Sequence, residues 1–253
     1  MLTIASDFGS PYPAAMKGAI LRRTDAQLVD VAHDLPRQDV RAAAFWLREV
    51  VPEFPPAVHL AVVDPGVGTE RAVLAVTAGD HVLVGPDNGL LLPAARRIAQ
   101  GDVQVYAVDY EDPASSTFHG RDVFAPLAAE IHEEGTGLLH SDDRFSVTSE
   151  FETVDFPAPE WHDQAVHGAV LVIDDFGNAI TNVPGDALDD WFGREIRVNG
   201  ERAPVRRTYA MVDPGHRLVT VGSHENVELA VNQGRGDDAF RVAVGDPVVL
   251  DRS

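Results

Sequence analysis

The chain has 253 residues, enough for one large domain or two small ones with a sizeable core. Its formal charge is -20, with 40 Asp and Glu against 20 Lys and Arg, all but Lys17 of the latter being arginine, and such a surface repels nucleic acid and anionic membrane. It has no cysteine, which excludes disulfides and thiolate metal sites, and no bilayer-length apolar run or signal-like N-terminus, so a soluble, cytoplasmic protein without a membrane partner is expected.

In chain order, the apolar runs 2–5, 27–32, 58–63, 72–76, 81–84 and 104–108 read as strands. Between them, 15–23, 39–51, 91–100 and 122–134 read as helices. The spacing of Val40, Ala43, Ala44, Leu47, Val50 and Val51 follows one helical face, and Pro52 ends the run. Alternating strands and helices predict an α/β layer with a largely parallel sheet. From about Phe151 the character changes. After the polar, proline-bearing PAPEWHDQ, short apolar runs at 170–173, 194–198, 218–221, 227–231 and 247–250 are separated by glycine and turn residues. They predict a small antiparallel, barrel-like β domain. The expected organisation is an N-terminal α/β domain over 1–155, a linker over 156–164 and a C-terminal β domain over 165–253, with no internal repeat.

Acidic residues occur along the whole chain, at 109–112, 130–134, 142–143, 186–190 and 237–238, as on a solvated surface and unlike a docking tail. Their repulsion is screened at molar salt, where the Debye length is about 3 Å. A halophilic protein is therefore expected, an ordinary acidic surface being the alternative.

Ligands of α/β sheets bind at the carboxyl ends of strands, and four polar segments fall there: SDFG (6–9), VVDPGVGTER (62–71), GPDNG (85–89) and STFHGRD (116–122). Each has a plainer explanation. Pro, Gly and Asp are turn residues, and Asp122 suits the positive end of a helix dipole. GVGTER lacks the Lys-Ser/Thr of a phosphate-binding loop. His33, Asp34, Asp64 and His119 have the right chemistry for a metal, yet no single element presents two of them at ligand spacing.

The segments DFG to MKG (7–18), VVDPGVGTER, GPDNGLL, STFHGRDVFAP, IDDFGNAITN (173–182) and GSHENVELAVNQG (222–234) together resemble the S-adenosylmethionine hydroxide adenosyltransferase family. The likeness runs in order along essentially the whole chain. That family is similar to the bacterial fluorinase and chlorinase, which attack the same carbon with halide. The resemblance implies hydrolysis of S-adenosyl-L-methionine, or its (R)-sulfonium epimer, to adenosine and L-methionine by attack of water or hydroxide at the ribose C5′. No cofactor and no metal are implied, because the sulfonium is already a good leaving group.

The family's water-handling Asp, Arg and His fall on Asp64, Arg71 and His119, a trio that the halide-using relatives lack. Asp7 matches the carboxylate that grips the ribose hydroxyls and Asn178 the adenine-reading amide. Asp174 and Ser223 match the pair that holds the methionine ammonium and carboxylate. Thr117 and Phe118 wall the reacting carbon, and backbone around Val231 meets the adenine edge. Ser10 and Tyr12 fall in the methionine-side loop, where this chain departs from the family: it reads SPYP and lacks an Asp before the Tyr. Ala72 also replaces a second arginine after Arg71. The resemblance further implies a homotrimer with its site at the subunit interface. The alternatives are a halide-dependent adenosyltransferase, a metal-dependent hydrolase and a non-catalytic adenosine or S-adenosylmethionine sensor.

Overall fold

The computed structural model describes residues 1–69, 71–100, 102–110 and 117–252 of the chain, which divides into two units, Met1–Asp155 and Phe156–Ser253. Glu70 and Ser116, from two of the sequence motifs, and Glu111 and Asp112, from an acidic run, lie outside the described residues.

The first unit contains β1 (Leu2–Ser6), α1 (Tyr12–Leu21), β2 (Leu28–Ala32), α2 (Val40–Val50), β3 (Val58–Val62), β4 (Val73–Ala78), β5 (His81–Pro86), α3 (Leu92–Ala99), β6 (Gln104–Val108), α4 (Ala125–Glu134), α5 (Leu138–Ser141) and β7 (Phe145–Val147). The strands form one sheet in the order β2-β1-β3-β5-β4-β6-β7. β2, β1, β3 and β5 pair in parallel, whereas β4 runs antiparallel to both β5 and β6. β6 therefore points the same way as the parallel set, which makes the sheet mainly parallel and brings five strand ends to one edge. Every residue of β1 and β3 is buried, as expected of strands covered on both faces.

Leu2, Ile4, Met16, Ile20, Leu60, Tyr106 and Phe124 lie in its core, and each fully buried large side chain contributes about 1.5–3 kcal/mol. Asp39 caps α2, its side chain accepting from the Ala42 N–H at 2.9 Å, a contact typically worth about 1 kcal/mol. α1 begins earlier than apolar spacing alone suggests, because Pro13 has the φ of a first helical turn and needs no donor there.

The second unit contains β8 (Glu160–Trp161), β9 (Ala165–Ile173), β10 (Ala179–Pro184), β11 (Glu195–Val198), β12 (Glu201–Pro204), β13 (Arg217–Val221), β14 (Asn226–Val231), α6 (Gly236–Phe240) and β15 (Pro247–Asp251). Its antiparallel order is β12-β11-β15-β9-β10-β14-β13, with β8 on the flank of β9. A bridge between Val205 and Val219 joins the two ends of that order, so the sheet is nearly closed as a barrel around Val170, Ile196, Val219, Leu229, Val248 and Leu250. Closure leaves few open strand edges. Among the described residues, no helix is long and apolar enough to cross a membrane.

Candidate active site

The strand ends of the first unit surround a cavity of about 460 Å³, lined by Phe8, Tyr12, Arg37, Val62, Asp64, Val67, Thr117, Phe118, His119, Gly120 and Arg121. Asp64 follows β3, and Arg71 reaches back to it from the end of the same loop, donating from Nη1 to Oδ1 at 2.6 Å. The Gly66 N–H donates to the same oxygen at 3.1 Å. Gly66 leaves room for this arginine: a Cβ there would stand 2.1 Å from Arg71 Nη2.

The Asp64 side chain is only 6% exposed. Burial pushes its carboxyl above the usual aspartate range. Arg71, the Gly66 N–H and His119 oppose that rise, while the like charge of Asp7 adds to it. Although an ion pair alone would lower a carboxyl, here desolvation is the larger effect. Asp64, Arg71, His119 and Asp7 thus share one electrostatic neighbourhood.

His119 is 7% exposed and opens a π-helical turn, Gly120–Phe124, that runs into α4. Single π turns recur where a helix must aim a functional group. Its ring lies edge-on to Tyr110 at 6.3 Å. Gly120 lets this turn approach the wall, since a Cβ would meet Met16 Sδ at 2.8 Å. Phe8, Tyr12 and Phe118 form an edge-to-face triangle with centroids 5.5–6.4 Å apart. The Arg121 guanidinium lies 5.1 Å above the Phe118 ring and is held by two bonds to Asp122, at 2.6 and 2.7 Å.

Asp7 follows β1 and accepts at Oδ2 from the Gln38 N–H at 2.7 Å. The strand end before it is braced by a chain of side chains: Ser6 Oγ to His33 Nδ1 at 2.8 Å, His33 Nε2 to Asp30 at 2.9 Å, and Lys17 Nζ to Asp30 at 2.6 Å. His33 is therefore engaged in this brace and makes no group with Asp34, Asp64 and His119; among the described residues, those four form no metal-ligand cluster. The β5 loop joins the site's frame through Asn88, whose Nδ2 donates to the Val63 carbonyl at 2.8 Å. Ser10 is exposed and does not line the cavity, and Tyr12 lines it while 55% exposed.

The remaining candidates lie in the second unit. Asp174 and Asn178 share the β9–β10 turn. The Asn178 backbone N–H and Nδ2 donate to the two Asp174 carboxylate oxygens at 2.8 and 2.9 Å, which fixes the amide. Ser223 is exposed on the β13–β14 hairpin, and Val231 is buried at the end of β14. Beneath Ser223, His224 Nε2 meets Glu228 Oε1 at 3.0 Å, and Tyr209 donates to Glu228 Oε2 at 2.7 Å. Burial, then Glu228, push the Tyr209 hydroxyl well above its ordinary range.

Motif reading alone does not find Arg37 in the lining, nor Gln38 as the residue that holds Asp7, while Val67 and Arg121 fall within the segments 62–71 and 116–122 without being given a role there. The missed signal is a fifth polar loop, HDLPRQD (33–39), which follows β2 at the same sheet edge as the other four.

Residues 2–139 match the family described as the SAM hydroxide adenosyltransferase N-terminal domain, and residues 168–249 match the corresponding C-terminal domain. The chain is 40% identical over 253 aligned residues to an (R)-S-adenosyl-L-methionine hydrolase of Salinispora tropica, covering 97% of this chain and 95% of that protein. It is also 40% identical to one of Thermus thermophilus, covering 97% of each. A crystal structure of a conserved Thermotoga maritima protein superposes with a TM-score of 0.88 at 31% identity, covering 100% of both chains.

Proposed function

The chain belongs to the SAM hydroxide adenosyltransferase family, and from that premise we propose that it hydrolyses S-adenosyl-L-methionine, in the (R)-sulfonium form for which its relatives are named. Water adds its oxygen to the ribose C5′, the C5′–sulfur bond breaks with its electron pair going to methionine sulfur, and the water gives up a proton. The products are adenosine, methionine and that proton. The observation that carries the reading is the buried Asp64 carboxylate, paired with the part-buried Arg71 at 2.6 Å, at the cavity that His119 also lines.

Asp64 and His119 accept hydrogen bonds or a proton from the attacking water, and Arg71 supplies a fixed cation that favours hydroxide. Burial makes Asp64 a better base than a solvated aspartate. Phe118, Thr117 and Tyr12 shield the carbon from bulk water. The sulfonium leaves without assistance, so no cofactor is invoked. Asp7 receives the ribose hydroxyls. The Asn178 amide, held by Asp174, reads the adenine edge, a pairing for which an amide's adjacent donor and acceptor are suited, with backbone near Val231 beside it. Asp174 and Ser223 take the methionine ammonium and carboxylate, and the loop of Ser10 and Tyr12 borders that end.

The domain organisation 1–155, 156–164 and 165–253 goes with a homotrimer in which the N-terminal domain of one subunit and the C-terminal domain of the next enclose the substrate. The charge of -20 supports a cytoplasmic protein adapted to high salt. Light scattering of active protein is expected to give a trimer, and an active monomer refutes that arrangement. The melting temperature should fall from molar to millimolar KCl; an unchanged value removes the halophilic reading.

Incubating each sulfonium epimer separately in ¹⁸O-labelled water tests the reaction. Adenosine carrying label at the 5′-hydroxyl is expected from the (R) epimer. Unlabelled adenosine would mean a protein-derived oxygen, halide-dependent turnover a different nucleophile, and intact substrate a sensor.

A further inference from the structure

PAPEWHDQ takes no part in the hydrolytic reading, yet its fold groups three ligand side chains. Glu160 and Trp161 form β8, which pairs with β9 in the register Glu160 with His167 and Trp161 with Val166. The His162 N–H donates to the Ala165 carbonyl at 2.9 Å, so residues 163 and 164 make a two-residue turn. Side chains alternate across a strand. Val166 is 1% exposed and turns into the barrel core, so His167 and its directly opposed partner Glu160 face outward, with His162 two residues along from Glu160 on the same face.

All three residues are exposed, and one ligand atom from each lies within 4.8 Å of the other two. The His162 and His167 rings are 4.3 Å apart, centroid to centroid. The start of the segment is anchored, because Asn182 Nδ2 donates to the Pro157 carbonyl at 2.8 Å.

We propose that Glu160, His162 and His167 form a three-ligand site for a borderline divalent transition cation, of which Zn²⁺ is the probe of choice. Two imidazoles and a carboxylate suit such an ion, whereas Mg²⁺ and Ca²⁺ need an all-oxygen set. Ligand atoms around a tetrahedral zinc stand about 3.4 Å apart, which these solvent-facing side chains reach by small rotamer changes. The fourth position is left to water. The bound ion ties the two-residue edge strand β8 to β9 and stabilises the hairpin through ligands from both strands. This site lies wholly in the second unit and is independent of the hydrolytic reading.

The test is calorimetric titration of tag-free, chelator-washed, full-length protein with Zn²⁺ in molar KCl, which screens diffuse attraction to surface carboxylates. One saturable equivalent is expected. His162→Ala and His167→Ala should each weaken it by about 10–100-fold, Glu160→Gln less, and the control His216→Ala not at all. Mg²⁺ at the same concentration should give no saturable heat. Copper(II) bound in place of zinc should show splitting from two nitrogens in its paramagnetic resonance spectrum. Circular dichroism of the metal-free variants should match wild type, and Zn²⁺ should raise the melting temperature of wild type but not of the double histidine variant. No saturable equivalent, or equal affinity in wild type and the histidine variants, overturns the proposal and leaves adventitious surface binding only.

Discussion

The two units solve different problems with the same residue types. At the sheet edge of the first, Asp64 and His119 are nearly removed from water, and Asp64 is bonded to Arg71 and the Gly66 N–H. In the second, Phe176 is 80% exposed at the tip of the Asp174–Asn178 turn, and Ser223 is exposed next to the buried His224–Glu228 pair, to which the exposed Tyr209 donates. Groups that polarise a small nucleophile act best when desolvated beforehand, because the field they exert is then strong and needs no rearrangement. The second unit mixes both conditions: Asn178 is 7% exposed, as buried as His119, with its amide held by Asp174, whereas Ser223 and Phe176 are open. On the proposed reading, the first arrangement suits a chemical step and the open groups of the second suit recognition.

Separating turnover from affinity is the sharpest way to break that division. His119→Ala should lower kcat by roughly 10²–10⁴, with substrate affinity in calorimetry little changed. Asn178→Ala should do the reverse. Loss of a buried polar partner costs about 1–3 kcal/mol, so binding should weaken by roughly 10–100-fold while kcat at saturation is kept. If His119→Ala weakens binding as much as turnover, or Asn178→Ala removes turnover at saturation, the division of labour is wrong.

Gly66 probes how finely the first unit is set. Its substitution by alanine places a Cβ where the Arg71 guanidinium lies, and the flexible arginine can swing away at little cost to folding. The carboxylate of Asp64 then loses its cation. A kcat reduced by about tenfold, the worth of one charged hydrogen bond, is expected with an unchanged melting temperature. A drop in stability instead would make Gly66 a folding residue.

Much of this frame is legible in the sequence. The strands of the first unit are continuous apolar runs, and their polar ends are marked by Asp, Pro and Gly, so the convergence of four loops follows from alternation alone. The second unit is harder to read. β10 is missed because its run, AITNVP, contains Thr181, which is 0% exposed yet satisfied by donating to the Val227 carbonyl at 2.9 Å; hydropathy counts such a residue as polar. The braces are not legible at all. Ser6 with His33, and Thr3 with His59 and His81, join residues far apart in sequence, and only strand pairing makes them neighbours. Arg37 entered the cavity by the same route.

The smallest expected effect on turnover concerns a histidine that the proposed reading gives no role at the site. His59, on β3 and 2% exposed, bonds through Nδ1 to Thr3 Oγ1 at 2.7 Å and through Nε2 to His81 Nδ1 at 2.8 Å, with the His81 ring stacked on it. The buried histidine of the second unit, His224, faces the Glu228 carboxylate at 3.0 Å; the bonds described for His59 go to a hydroxyl and another imidazole. Burial, then the neighbouring His81, lower the His59 pKa from 6.5 to about 4. The unfolded chain therefore takes up a proton near pH 6.5 that the folded chain refuses until about pH 4. The stability this contributes is present above pH 6.5 and is lost as pH falls towards 4, with a slope of at most about 1.4 kcal/mol per pH unit. Denaturant unfolding between pH 7 and 4 in molar KCl, where charge repulsion is screened, should show this softening. His59→Gln keeps hydrogen-bonding capacity without a titrating ring. It should flatten the slope, leaving the contributions of His81 and His132, which burial also lowers, and leave hydrolysis at neutral pH intact. A slope unchanged in His59→Gln would move the acid sensitivity to other groups.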